Sequence, residues 1–406
     1  MKVALIIGEF HPPWTDGYLS YFREFVHALQ KVPNVEVTLF STINLSSLER
    51  ASKSDLHLFS NYFLKKCEII YVHKEMHSQP LRFVLKLRKY KDLFLADSIV
   101  IEYEKILPFH LSFLMKDGVK GKLFFKFISG EPDWNALVKT RILKFLDYLF
   151  KKNYGYQNKY LFSSEYLIRR YKVDPSDSII VPPGIDTNFF KPVKSKEKNL
   201  QNFPTYKLLY FGKLSPNRFP YSRILEAIRL VKTKYKIKVL LKIIGKDSPI
   251  DKIHAKNILQ LSNALGISKE VDVHLHLLDE IEKVKELNEA GIFLFPVEPT
   301  NFSNILDPPI SVLEAMSCGK VVVCTPVGSL PKIIHDGSNG FILKNLNPLE
   351  IAYILSKILS ERELDRIGSQ ARETIIRNFS LSVLKQKLTE LFTHEMEDKR
   401  FFKYIN

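Results

Sequence analysis

The stretch DPPISVLEAMSCG, from Asp307 to Gly319, decides the fold of the second half of the chain. It lies between two apolar runs, Ile292–Val297 and Val321–Cys324, which are typical of short buried strands. The two prolines near its start cost no hydrogen bond in the first turn of a helix, and the closing glycine is a common helix end. The pattern predicts strand, loop, short helix and strand, which is the repeating unit of a parallel sheet.

The start of this helix is a predicted anion site. In a parallel sheet, ligands bind at the loops that follow the carboxyl ends of the strands. A helix that begins near Ile310 directs unpaired N–H groups and its positive end toward that edge, which suits a phosphate. Glu314 lies one turn into the helix and, because like charges repel, it suits a neutral diol such as a ribose. Phosphate and ribose sites together predict a bound nucleotide.

Length indicates two domains, and composition indicates a soluble globular protein. The 406 residues fit two domains of about 200 residues each. Hydrophobic residues make up 45% and charged residues 26%, as in soluble globular proteins, and no apolar run approaches the roughly 20 residues of a membrane span. The short run Val3–Ile7 predicts a first strand rather than a signal peptide. Cys67, Cys318 and Cys324 share no metal-ligand spacing, which favours a reducing cytoplasm and predicts no metal site.

The formal net charge of +16 favours an anionic partner, which can be nucleic acid, anionic lipid or a small substrate. Residues 1–190 carry a net charge of +7 and the remaining residues +9, so the excess is spread over both halves. The sequence contains no recognised nucleic-acid-binding motif. This combination argues against a nucleic-acid partner.

The first half opens with strand, loop, helix and strand, at Lys2–Gly8, Tyr18–Lys31 and Val35–Ser41. Such an opening predicts a doubly wound sheet. The loop lacks G-x-G-x-x-G, which weighs against a dinucleotide fingerprint, but Gly17 allows the backbone to approach a ligand. We predict a first domain over 1–190, a linker over 191–205 that is polar and non-periodic, a second β/α domain over 206–380, and a final segment, 381–406, whose helix returns to the first domain.

Two cations follow the first strand of the second domain, in the segment YFGKLSPNRF. Lys213 comes directly after the strand, and Arg218 lies five residues later, before a predicted helix. At the mouth of a parallel sheet, opposite the helix that begins near Ile310, they would clamp a diphosphate from both sides. The alternative is a pair of solvated loop cations.

The second half resembles the donor domain of family 4 glycosyltransferases, which have the two-domain GT-B fold. The similar segments are YFGKLSPNR, LLKIIGKD, VDVHLHLLDEIEKVKELNEAGIFLFP and DPPISVLEAMSCGKVVVCTPVGSLPKIIHDGSNGFIL; SSEYLIRRY and IIVPPGIDTNFFKP resemble the stretch before the family's linker. The resemblance implies two Rossmann-like β/α/β domains facing each other across a cleft. It also implies retaining transfer of a hexose from a nucleotide diphosphate sugar, with no tightly bound cofactor or metal. Consistently, no Asp-x-Asp occurs in the sequence.

The resemblance also implies roles for individual residues. Lys213 takes the place of the family's arginine and Arg218 that of its lysine, while Glu314 matches the ribose-binding glutamate of the family's Glu-x7-Glu. The first glutamate of that pair would fall at Leu306, and either Asp307 or Glu298 could supply the carboxylate instead. The implied donor site comprises Gly17, Gly212, Lys213, Arg218, Gly245, Asp307, Ile310, Ser311, Val312, Leu313 and Glu314, and the implied catalytic residues are Lys213, Arg218 and His73.

The histidine that the family places near the sugar is matched poorly. His73 ends a predicted strand, His77 and His110 are alternatives, and Ser129-Gly130-Glu131 occupies the expected place of the histidine. As the glycosidic bond breaks, charge grows on the distal phosphate. Lys213, Arg218 and the helix start near Ile310 are predicted to stabilise that charge.

Two segments of the first domain, Leu81–Lys91 and Lys139–Lys152, combine cations with large apolar residues. This pattern is typical of a helix face that binds a membrane surface, although solvated lysines over an ordinary core give the same pattern. We therefore expect a cytoplasmic enzyme, peripheral at the inner face of the membrane, with a glycan or lipid-linked acceptor. The rival functions are a nucleotide-sugar epimerase of the same fold and a non-catalytic basic binding protein.

Overall fold

The structure of the protein is a computed structural model. It describes residues 1–12, 14, 17–42, 48–49, 51–60, 68–73, 85–87, 89–90, 95–101, 111, 122–130, 145, 148–149, 152, 157–193, 206–301, 306–360 and 363–403. The described residues divide into two compact units. Unit 1 lies within 1–184, 303–307 and 381–406, and unit 2 lies within 185–302 and 308–380.

Unit 1 is built around a parallel sheet. Its elements are β1 (Lys2–Glu9), α1 (Gly17–Leu29), β2 (Glu36–Thr42), α2 (Lys53–Phe59), β3 (Glu68–His73), β4 (Ser98–Ile101), β5 (Leu123–Ile128), β6 (Gln157–Phe162), α3 (Glu165–Tyr171) and β7 (Ser178–Ile180). The described strands form a seven-stranded sheet in the order β3-β2-β1-β4-β5-β6-β7, so the strand order reverses between β1 and β4. This reversal is where doubly wound folds place their ligand crevices.

Unit 2 repeats the architecture. Its elements are β8 (Tyr206–Phe211), α4 (Tyr221–Thr233), β9 (Val239–Gly245), α5 (Pro249–Ala264), β10 (Val271–Leu275), α6 (Glu280–Glu289), β11 (Ile292–Phe295), α7 (Ile310–Ser317), β12 (Val321–Cys324), α8 (Leu330–Ile333), β13 (Phe341–Ile342), α9 (Pro348–Ser360) and α10 (Leu364–Phe379). The described strands form a six-stranded parallel sheet in the order β10-β9-β8-β11-β12-β13. The order reverses between β8 and β11, which lie side by side.

The two strands that flank the stretch from Asp307 to Gly319, β11 and β12, are buried along their whole length. Every residue of β11 (IFLF) and of β12 (VVVC) is buried, and the two strands pair in parallel with Ile292 opposite Val321. Continuous apolar runs are expected here because helices cover both faces of a parallel sheet. The predicted succession of strand, loop, short helix and strand is confirmed.

The last helix, α11 (Leu381–Lys403), groups with unit 1. Its Phe392 packs edge-on against Phe125 of β5, with 5.9 Å between ring centroids. Unit 2 begins at Ile185, whose N–H donates to the Phe379 carbonyl at 2.7 Å. The domain bounds 1–190 and 206–380 remain predictions. Residues 194–205 of the predicted linker lie outside the described residues.

Helix α10 is an element that the sequence reading missed. Its buried residues, Ile367, Gly368, Ala371 and Ile375, form a narrow stripe on a helix that is otherwise largely polar. The glycine is explained by a close approach: a Cβ at Gly368 would collide with the Gly319 carbonyl. Gly319 itself has φ +70°, a left-handed conformation that favours glycine. The two glycines let α10 pack directly on the end of α7.

Candidate functional site

The candidate site lies at the carboxyl edge of the unit 2 sheet. Strands β8, β9, β10, β11 and β12 run parallel, so the loops that follow them emerge at one edge. The central pair β8 and β11 stands at the reversal of strand order, the usual place for a ligand in such a sheet. Their loops carry Lys213 and Arg218 on one side, and lead into α7 on the other.

The loop after β8 has a defined conformation. Gly212 has φ +147°, which other residues rarely adopt. The Tyr210 hydroxyl donates to the Lys213 carbonyl at 2.6 Å, and the Tyr210 ring stacks on Phe219 with 4.2 Å between centroids. The Lys213 side chain is exposed, whereas Arg218 is half-buried. The backbone of the loop is therefore fixed, while the Lys213 ammonium group is left in solvent.

Burial changes the ionisation of this loop. It lowers the pKa of the Arg218 guanidinium from its ordinary value, while the neighbouring Tyr210 acts in the opposite direction. Burial also raises the pKa of the Tyr210 hydroxyl, Arg218 lowers it, and Asp251 adds a smaller increase. Arginine stays protonated at neutral pH even when its pKa falls. The loop thus presents two positive charges, one of them partly desolvated, where Coulomb attraction to an anion is stronger than in water.

The loop after β11 is hydrogen-bonded to the loop after β8, which carries Lys213 and Arg218. The Glu298 N–H donates to the Asn217 carbonyl at 2.9 Å, close in sequence to Arg218. The Glu298 carboxylate pairs with Arg223 at 3.0 Å. Glu298, one of the two candidates for the family's first glutamate, therefore already has a cationic partner within unit 2.

Helix α7 begins as predicted, with Pro309 at its N-cap and no side-chain cap among the described residues. The Val312 and Leu313 N–H groups donate to the Pro309 carbonyl at 3.1 and 3.3 Å. The N–H groups of Ile310 and Ser311 precede them in the first turn, where helical N–H groups have no intrahelical acceptor. Ser311 is partly exposed, and the other three residues of this turn are buried. The predicted helix start is confirmed, and anion binding at this end remains a prediction.

Glu314 is buried and ionically paired. Its side chain is 2% exposed, and its Oε1 accepts a hydrogen bond from Lys283 Nζ at 2.9 Å. The Lys283 side chain is 8% exposed, and its Nζ lies 5.6 Å from the centroid of the Phe190 ring. The sequence placed Glu314 on α7 but did not anticipate a lysine from α6 beside it.

Gly245, another glycine of the predicted donor site, has a packing role. Gly245 ends β9, and a Cβ there would lie 2.7 Å from Leu214 and 2.9 Å from Leu275. Any larger residue would therefore have to displace the side chain of Leu214, in the loop after β8, and that of Leu275, at the end of β10. The donor-binding role of Gly245 remains a prediction.

Asp307, the other candidate for the missing glutamate, is 1% exposed and groups with unit 1. Its carboxylate accepts a hydrogen bond from the hydroxyl of Ser164, the N-cap residue of α3. Its N–H donates to the Ser129 carbonyl at 2.9 Å, and its carbonyl accepts from the Ser163 hydroxyl at 2.5 Å. These contacts give Asp307 a structural role within unit 1, and its donor-binding role remains a prediction.

Two further predicted residues belong to unit 1. Gly17 is the first residue of α1, and His73 is the last residue of β3, where it stands opposite Thr42 of β2. Gly17 follows β1 and His73 ends β3, so both lie at the carboxyl edge of the unit 1 sheet. The alternative histidines, His77 and His110, and the residues Glu131 and Lys139 lie outside the described residues. The roles of Gly17 and His73 remain predictions.

Sequence reasoning missed Lys283, Tyr210 and Asp251. Lys283 is buried on α6 together with Glu280, Glu286 and Leu287, so a charged residue occupies the inward stripe of that helix. A lysine at an inward position was the available signal, since a buried lysine is rare unless it is paired. Among the described residues, no group of His, Cys, Asp and Glu could hold a metal ion, and no helix is long and apolar enough to cross a membrane.

The chain is similar to known proteins in sequence and in fold. Residues 193–374 match the family described as Glycosyl transferases group 1. A D-inositol 3-phosphate glycosyltransferase of Geodermatophilus obscurus is 25% identical over 213 residues, which is 50% of this chain and 45% of that protein. The chain spans about half the length of the curated relatives it matches.

Two solved structures are similar along almost the whole chain. A glycosyltransferase from Rickettsia africae has a TM-score of 0.70 at 15% identity, covering 97% of this chain and 98% of that one. Anabaena Alr3699/HepE, solved in complex with UDP-glucose, has a TM-score of 0.69 at 15% identity, covering 97% of this chain and 100% of that one. The predicted fold class, α/β with two parallel Rossmann-like sheets of the GT-B type, is confirmed.

Proposed function

We propose that this protein, whose residues 193–374 match the Glycosyl transferases group 1 family, is a retaining, family 4 glycosyltransferase. It moves a hexose from a nucleotide diphosphate sugar to a glycan or lipid-linked acceptor. The observation that carries the proposal is the position of Lys213 and Arg218, on the loop after the central strand β8, beside the strand that leads into α7. Cations and a helix N-terminus at one sheet edge suit a diphosphate.

In the proposed reaction, the bond between the anomeric carbon and the distal phosphate oxygen breaks. The departing diphosphate gains negative charge, which Lys213, Arg218 and the first N–H groups of α7 stabilise. A new bond forms from the acceptor hydroxyl oxygen to the anomeric carbon on the same face, and the leaving phosphate oxygen takes the acceptor's proton. Two protein cations supply the charge neutralisation, so we propose that transfer needs no metal.

The nucleotide is proposed to bind against unit 2. Its ribose hydroxyls bind the Glu314 carboxylate, whose position is held by Lys283. UDP-glucose, the ligand of the Anabaena structure, is the first donor to test because that protein has the same fold. The sugar itself needs a further polar partner, and Asp307, Glu298 and His73 are the proposed candidates.

The acceptor side is proposed to be unit 1. Within the segment Lys139–Lys152, Phe145 and Tyr148 are each 62% exposed and Leu149 is 39% exposed. Exposed aromatic rings beside lysines favour binding to the headgroup region of an anionic membrane. We propose that unit 1 binds the inner face of the cytoplasmic membrane, where a lipid-linked acceptor would be found.

The function is tested by product analysis. The purified protein is incubated with nucleotide diphosphate sugars and a pool of glycan and lipid acceptors, and the products are examined by NMR. We expect a glycosylated acceptor whose anomeric configuration equals that of the donor. Inversion would contradict the retaining mechanism. A free sugar nucleotide with an altered sugar would instead support the epimerase alternative.

The non-catalytic alternative makes a different prediction. A basic nucleic-acid-binding protein would bind duplex DNA or RNA with an affinity that falls steeply with salt and would release no nucleoside diphosphate. A titration of labelled duplexes at two salt concentrations, together with a nucleoside diphosphate release assay, separates the two functions. The +16 charge favours neither, because an anionic donor and an anionic surface would both be attracted.

A further inference from the structure

The carboxylate of Asp251 joins two loops of the candidate site. Asp251 lies in the first turn of α5 and is 4% exposed. Its Oδ1 accepts a hydrogen bond from the Leu214 N–H at 3.0 Å, and its Oδ2 accepts one from the Lys246 N–H at 3.0 Å. The first amide belongs to the loop after β8 and the second to the loop after β9.

Both loops carry a lysine at the point where Asp251 holds them. Lys213 directly precedes the Leu214 amide, and Lys246 supplies the second amide itself. Hydrogen bonds to a carboxylate are stronger than those between neutral groups. One buried side chain therefore fixes the backbone of the two loops that carry these cations, relative to each other and to α5.

The capping of α5 does not explain this arrangement. The N-cap of the helix is Ser248, whose hydroxyl accepts a hydrogen bond from the Asp251 N–H at 3.1 Å. The Asp251 carboxylate is directed instead to amides outside the helix. A residue that served only to cap α5 would form no hydrogen bond with the loop after β8.

We propose that Asp251 is a positioning residue for the donor diphosphate, and this inference rests on the proposed function. It acts by fixing the loop backbones that place Lys213 and Lys246, and it does not contact the donor itself. Its negative charge opposes an anion, since Coulomb repulsion between like charges is unfavourable. A carboxylate at the edge of a diphosphate site must therefore favour binding through geometry, against its own electrostatic effect.

Because the electrostatic effect of Asp251 on anion binding is opposite in sign to its positioning effect, one variant distinguishes the two. Asp251→Asn keeps the size of the side chain and removes the negative charge, so electrostatics alone predicts tighter binding of a diphosphate. The two backbone N–H groups bond to different oxygens of Asp251, and asparagine replaces one of these oxygens with an NH2 group, which is a donor and cannot accept. Positioning therefore predicts weaker binding, and the two explanations differ in sign.

The experiment is calorimetric titration of the full chain with UDP, GDP, ADP, CDP and dTDP, and with the corresponding monophosphates. For the diphosphate that binds the unmodified protein, we expect Asp251→Asn to weaken binding about tenfold. The matched control is Ser248→Ala, which weakens the start of the same helix but leaves both loop bonds. It should change the affinity by less than about twofold, and monophosphate binding should be little affected by either substitution.

Equal or tighter diphosphate binding by Asp251→Asn would overturn the inference and leave the proposed function standing. If the unmodified protein binds none of the diphosphates, the proposed function fails and the inference with it. If Asp251→Asn does not fold, Asp251→Ser takes its place, with the same expected loss. Hydrogen exchange supplies a ligand-free measurement: peptides containing Leu214 and Lys246 should both exchange faster in the folded variant, and unchanged exchange at both would overturn the inference.

Discussion

Lys283 Nζ donates a hydrogen bond to Glu314 Oε1 at 2.9 Å, and both side chains are almost fully buried. The pair joins α6 to α7 beneath the ring of Phe190. A buried carboxylate that is hydrogen-bonded to a fixed cationic partner is held in one orientation. The glutamate that the family resemblance assigns to the ribose is thus held in place from inside unit 2.

The first prediction concerns this ion pair. Lys283→Met or Glu314→Gln alone should lower the free energy of unfolding by about 3–5 kcal/mol, because each removes one partner of a buried ion pair. The double variant should recover much of that loss. Denaturant unfolding of the four proteins in a double-mutant cycle measures the coupling.

The exposed pair Lys207–Glu289, at 3.2 Å with side chains 49% and 41% exposed, is the matched control for this cycle. Its coupling should be below about 1 kcal/mol. Equal couplings for the two pairs would contradict the structural role given to Lys283 and Glu314.

The second prediction concerns ribose binding. Glu314→Ala should weaken donor binding more than turnover, because a ribose contact changes little as the glycosidic bond breaks. The substitution is best made in the Lys283→Met background, where it leaves no unpaired lysine. The measurement is KM and kcat for the donor, with Lys283→Met alone as the reference. An unchanged KM and donor affinity would remove Glu314 from the donor site.

The third prediction concerns the two loop cations. Lys213→Ala or Arg218→Ala should lower turnover by about tenfold to a thousandfold, as for the loss of one charge partner in the transition state. Lys256→Ala, at an exposed lysine of α5, is the control and should leave turnover unchanged. Full activity in the double variant of Lys213 and Arg218 would rule out the diphosphate clamp.

The fourth prediction concerns the membrane. The full chain should co-sediment with anionic vesicles and not with neutral ones, because each nearby Lys or Arg gains about 1 kcal/mol at an anionic surface, an attraction that salt screens. Changing Lys86, Arg88 and Lys89 together to glutamate should reduce binding, as should serine at Phe145 and Tyr148. Equal recovery in the supernatant with all vesicles would contradict membrane binding and leave the glycosyltransferase proposal intact.

The sequence predicted the elements that local patterns determine. The strands β11 and β12 and the helix α7 follow from apolar runs, two prolines and a glycine that are neighbours in sequence. The carboxyl-edge position of Lys213 follows from the parallel topology, which the alternation of strands and helices implies.

The contacts that the sequence could not predict join residues far apart in the chain. Lys283 and Glu314 are separated by 31 positions and Leu214 and Asp251 by 37, and no local pattern links them. Asp307 is predicted among the donor contacts from its position in sequence, whereas its hydrogen bonds to Ser129, Ser163 and Ser164 of unit 1 could not be predicted. Such pairings depend on how helices pack after the sheets have formed.

The most direct test of the central claim is thermal unfolding of the full chain with a panel of nucleotide diphosphate sugars, beginning with UDP-glucose. A bound donor raises the midpoint by an amount that grows with its concentration relative to Kd. We predict that at least one donor of the panel raises the midpoint of the unmodified protein and of Lys256→Ala, and has little effect on the double alanine variant of Lys213 and Arg218. No shift with any donor, or an equal shift in the double variant, would contradict the account.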